Sequence, residues 1–67
     1  MELSPAIVMW RLRHQHHLVR CVLEQVGEEC FELKVYSGKD LLAEEEFAEI
    51  DPLLTRAHEL HEKYAHH

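Results

Sequence analysis

The sequence predicts an α+β domain: a four-stranded antiparallel meander, ββββα, with one C-terminal helix packed on one sheet face. Three observations carry this expectation. Four short segments alternate apolar and polar residues with a period of two, as half-buried strands do. Tight polar connections separate them: His14-Gln15-His16-His17, Gly27-Glu28-Glu29 and Ser37-Gly38-Lys39. Beyond the last strand the period becomes helical, opened by Asp51-Pro52.

The first strand covers residues 7–13, where Val8, Trp10 and Leu12 face one way and Met9, Arg11 and Arg13 the other. The polar tetrad at 14–17 serves as a four-residue hairpin loop, setting Leu12 opposite Val19 and Trp10 opposite Cys21. The second strand, residues 18–26, adds Val19, Cys21 and Leu23 to the apolar face. The third, residues 30–37, adds Phe31, Leu33 and Val35. In this register Cys21 lies opposite Val35 and Val26 opposite Cys30, and a slip of one residue would expose the whole apolar set.

Residues 41–47 form the fourth strand. The run Glu44-Glu45-Glu46 interrupts its alternation, and by propensity the segment could almost as well be a helical turn. Turn signals on both sides and the charges that edge strands carry favour strand. The helix spans residues 52–65, with Asp51 as N-cap and Pro52 at the first helical position. Leu53, Ala57, Leu60 and Tyr64 then make one apolar stripe, flanked by Leu54 and His61.

A chain of 67 residues makes one domain, residues 1–67, with a thin core: at this size only roughly 60% of the unfolded surface is buried. Small domains compensate with disulfides, a metal or a partner subunit. The two cysteines, Cys21 and Cys30, are about five residues apart along one hairpin, roughly 15 Å at about 3.3 Å per residue. That is beyond bridging distance, so both are read as reduced thiols, as in a cytoplasmic protein. Met-Glu-Leu-Ser-Pro lacks a basic leader region, and the apolar stretch from Ala6 to Trp10 is too short for a signal or a membrane span. A cytoplasmic protein with no membrane partner is expected. The net charge of −6 opposes attraction to nucleic acid, although seven histidines would reverse its sign if all were protonated.

With the apolar set under the helix, the opposite face presents Met9, Arg11, Leu18, Arg20, Val22, Lys34 and Tyr36, together with Arg13, Glu24 and Glu32. Apolar residues ringed by charge are the makings of a contact surface. Scattered apolar residues also occur on ordinary sheet surfaces. A one-layer core gains most from burying a second face, which favours a homodimer, or contact with another protein, through these residues.

Histidine is the one metal-ligand type in quantity. His58 and His61 stand three apart on the helix, and His14 or His17 of the first loop would have to reach them to hold zinc. His58-Glu59-Leu60-His61 lacks the spacing of the zinc-protease helix, and solvated histidines account for the pattern more simply. His66 and His67 end the chain. Cys21 falls in the core, and Cys30 lies near Glu28, Glu29 and Glu32, which disfavour a thiolate. Glu44 and Glu46 share a strand face with no pocket to raise a carboxylate pKa. No catalytic residue, cofactor motif or nucleotide loop is present, so a non-catalytic role is expected.

The order of four strands and a helix resembles that of PC4-type transcriptional coactivators, small dimers that bind single-stranded DNA on their sheets. That resemblance implies a rival use of Arg11, Arg13, Arg20, Lys34 and Tyr36, as cationic and stacking groups for single-stranded nucleic acid. Trp10-Arg11-Leu12, Glu32-Leu33-Lys34-Val35 and Phe47 before the helix also look like features of small uncharacterised bacterial proteins with an antiparallel meander and a C-terminal helix. This likeness implies a fold and no activity. The expected role is therefore a small self-associating interaction module. The alternatives are single-strand binding on the sheet face and zinc held by histidines.

Overall fold

Period-two alternation in the sequence becomes a continuous antiparallel sheet in the computed structural model, which describes residues 6–14 and 16–65. The strands are β1 (Ala6–His14), β2 (His17–Gly27), β3 (Cys30–Ser37) and β4 (Asp40–Phe47), in sheet order β1-β2-β3-β4. The helix α1 (Ile50–Ala65) follows β4 after two residues and lies on one face. Val19, Cys21, Leu23, Leu33 and Val35 of the two central strands are buried there against Leu53, Ala57 and Leu60 of α1. Trp10, Leu12, Phe31, Phe47 and Tyr64 close the rim of this core.

The central register is the expected one: Leu12 pairs with Val19, Trp10 with Cys21, and Cys21 with Val35. Residues 41–47 lie within a strand, and the triple-glutamate run fits it because its side chains alternate. Glu45 pairs with Leu33 on the helix side, while Glu44 and Glu46 pair with Lys34 and Glu32 on the other.

Three one-residue bulges correct the expected pattern. In β1, Val8 pairs with Val22 and Trp10 with Cys21, so Met9 is the extra residue. Directly paired residues share a face, which brings Val8 beside Val22 on the uncovered side. Met9, expected there, instead packs against the core. In β2, Gln25 pairs with Phe31 and Gly27 with Cys30, which leaves Val26 unpaired rather than opposite Cys30. In β4, Val35 pairs with Ala43 and Tyr36 with Leu41, so Leu42 is extra. Each bulge inserts one residue and resets the alternation beyond it.

The first hairpin is tighter than a four-residue loop: His14 and His17 pair and close it. At the third turn Gly38 has φ +62, a left-handed geometry that disfavours a side chain, and its N–H donates to the Leu18 carbonyl over 3.1 Å. The helix starts at Ile50, slightly earlier than expected. Asp51 and Pro52 then sit in its first turn, where the carboxylate favours the positive end of the helix dipole and no N–H is required of the proline. No helix among the described residues is long and apolar enough to cross a membrane.

Candidate functional site: the uncovered sheet face

Because the helix occupies one side of a single sheet, the even-numbered side chains of β2 and β3 have no layer above them among the described residues. Their cross-strand rows can be read from the register. One row is Ala6, Glu24, Glu32 and Glu46, and the next is Val8, Val22, Lys34 and Glu44. Then come Arg11, Arg20, Tyr36 and Leu41, and finally Arg13 with Leu18. Val8, Leu18 and Leu41 are exposed by 41%, 45% and 50%, a large share for residues of this size on one surface.

Glutamates directly opposite one another, as Glu24, Glu32 and Glu46 are, repel across a sheet. Lys34 answers this from the neighbouring row. Its Nζ lies 3.2 Å from Glu32, 3.6 Å from Glu24 and 3.7 Å from Glu44. The hydrogen bond to Glu32 holds the ammonium pKa above its ordinary value. Cys30, at the same end, has its thiol pushed up by desolvation and by Glu46 and Glu32, which keeps it protonated and unreactive near neutral pH.

At the opposite corner Arg11 and Arg20 are directly paired, again like with like. Arg20 stacks over Tyr36, with its Cζ 4.7 Å from the ring centroid, and donates to the Gly38 carbonyl over 3.2 Å. Arg11 and Arg13 have no ion-pair partner among the described residues.

Of the expected contact residues, the structure gathers Arg11, Leu18, Arg20, Val22, Lys34 and Tyr36 on this face and takes Met9 off it. Val8 and Leu41 join it through bulges that simple alternation does not reveal. The convergence of three carboxylates on Lys34 depends on the cross-strand register: Glu32 stands two residues before it on β3, while Glu24 and Glu44 come from the strands on either side.

The histidine candidates are dispersed. His17 is exposed at the first turn, His58 sits 3.7 Å from Glu62 on the outer helix surface, and His61 meets Trp10 edge to face at 5.3 Å. The side chain of His14 lies outside the described residues. Among those described, no three His, Cys, Asp or Glu side chains gather as a metal site would require. Cys21 and Cys30 are free thiols.

No protein-family model matches the chain, and neither the curated proteins nor the solved structures compared with it give a match. The likeness to PC4-type coactivators therefore stands on element order alone.

Proposed function

We propose that this chain is a non-catalytic interaction module that self-associates through its uncovered sheet face. The observation that supports it is the apolar set Val8, Leu18, Val22 and Leu41 on a surface that no layer covers among the described residues. Four strands about 4.8 Å apart and about eight residues long give a face of roughly 500 Å². Two copies would then bury roughly 1,000 Å², the lower end of specific interfaces, so the association is of modest strength.

Sedimentation velocity across the micromolar range tests the reading. A dimer that Val22→Glu converts to monomer supports it, because the substitution buries an unpaired charge in the contact. A monomer at high micromolar concentration, with Val22→Glu indistinguishable from it, would refute it.

A second reading, single-stranded nucleic acid on the same face, draws on the Arg20 and Tyr36 pair and on Arg11 and Arg13, which have no ion-pair partner among the described residues. Four glutamates on that face and the net charge of −6 weigh against it. A labelled oligonucleotide whose signal stays flat at low salt removes it.

A further inference from the structure

We infer that the second copy is seated about a twofold axis along a diagonal apolar stripe, so that Arg11 and Arg13 of each copy lie on Glu32 and Glu46 of the other. The inference rests on the self-association proposed above and adds its orientation. Val8 and Val22 occupy one row on β1 and β2, whereas Tyr36 and Leu41 occupy the next row on β3 and β4. The stripe they form therefore runs obliquely across the strands.

On one side of that stripe stand three arginines, Arg11, Arg13 and Arg20. On the other stand four glutamates, Glu24, Glu32, Glu44 and Glu46, around the single Lys34. The two corners carry equal and opposite formal charge. Each also contains like charges placed directly opposite one another, Arg11 with Arg20 and Glu24 with Glu32 and Glu46, a repulsion that Lys34 offsets at the acidic corner.

A twofold contact places the same patch against itself, so a patch with opposite charges at its two corners fits itself in a limited set of orientations. An axis along the stripe buries Val8, Val22, Tyr36 and Leu41 on themselves and brings Arg11 and Arg13 onto Glu32 and Glu46, with Arg20 beside Lys34. Axes along or across the strands do neither. Arg20 is anchored to its own sheet by Tyr36 and the Gly38 carbonyl, whereas Arg11 and Arg13 have no ion-pair partner among the described residues, so the β1 arginines are the ones to reach across.

Charge reversal provides the test. Arg11→Glu with Arg13→Glu makes both corners acidic, and Glu32→Arg with Glu46→Arg makes both basic. At a concentration where the unmodified chain is dimeric, each double variant alone should be weakened by about tenfold or more in dimer affinity. An equimolar mixture should form a one-to-one heterodimer, since both charge contacts are restored, and added salt should loosen it. Circular dichroism verifies that each variant is folded. If Glu32→Arg fails to fold beside Lys34, the single pair Arg13→Glu and Glu46→Arg makes the same comparison.

Double variants that dimerise as the parent does, or that fail to recover on mixing, overturn the orientation and leave self-association standing. A parent chain that is monomeric at high micromolar concentration overturns both, and so does a monomer that instead captures a labelled oligonucleotide.

Discussion

The indole Nε1 of Trp10 donates to the backbone carbonyl of Ala57 over 2.9 Å, joining β1 to the middle of α1 across 47 positions of chain. Trp10 also meets His61 edge to face and lies 6.4 Å from the Tyr64 ring, so a single side chain fixes where the helix crosses the first strand. Trp10→Phe keeps an aromatic side chain but removes the donor together with the five-membered ring of the indole. It should lower stability by about 1–3 kcal/mol in urea denaturation, the net worth of one such hydrogen bond plus the lost ring packing. Leu60→Ala, which empties a fully covered site in the same layer, should cost about 2–5 kcal/mol. A Trp10→Phe loss as large as that of Leu60→Ala would show that ring packing, rather than the N–H, carries the contact.

Cys21 is fully buried, and burial pushes its thiol from an ordinary 9.0 up to about 11. The folded chain therefore holds this proton after the unfolded chain has released it. The stabilisation is complete below pH 9 and is lost as pH rises from 9 towards 11, by about 2–3 kcal/mol in total. Other groups titrate in this window, so the comparison is with Cys21→Val, which has no such proton. The stability difference between the two chains should shift steadily in favour of the variant above pH 9. Parallel curves would place the thiol outside the core.

Gly38 combines φ +62 with an N–H donated to Leu18 and a carbonyl that accepts from Arg20. Space is not the obstacle to a side chain here, since nothing lies within 4 Å of the position a Cβ would take. Gly38→Ala should thus cost roughly 1 kcal/mol through backbone conformation alone. Gly38→Asn, which tolerates this region better, should cost less. Thermal melts of the two variants test the order, and an equal loss would contradict it.

Arg56 meets Glu45 of β4 through Nε at 2.9 Å and Glu59 through a terminal nitrogen at 3.2 Å. The hydrogen bond to Glu45 raises the guanidinium pKa further above an already high value. Both side chains are half-buried, more than a third of each open to water, so Arg56→Ala should cost about 1 kcal/mol, and the loss should shrink in molar salt. A larger, salt-independent loss would mean that the arginine stem, not its charge, packs the helix against β4.

The rows Leu12 with Val19 and Trp10 with Cys21 with Val35 were legible because a one-residue slip would turn every apolar side chain to water. Helix position was legible for a similar reason: Leu53, Ala57 and Leu60 form a single stripe. The bulges at Met9, Val26 and Leu42 were not, because each depends on how two twisted strands fit each other rather than on either alone. Their effect on the candidate site is direct, since Val8 and Leu41 reach the uncovered face only through them. The acid run in β4 was ambiguous because it serves two surfaces at once: Glu45 reaches Arg56 on the helix, while Glu44 reaches Lys34 on the other side.

Both outermost strands, β1 with Met9 and β4 with Leu42, are broken by an extra residue. A bulged margin twists away and offers no regular ladder for a further strand to dock on. Fibril growth by edge-to-edge templating is therefore opposed at both flanks. Even crowded solutions of this protein should give compact species rather than filaments.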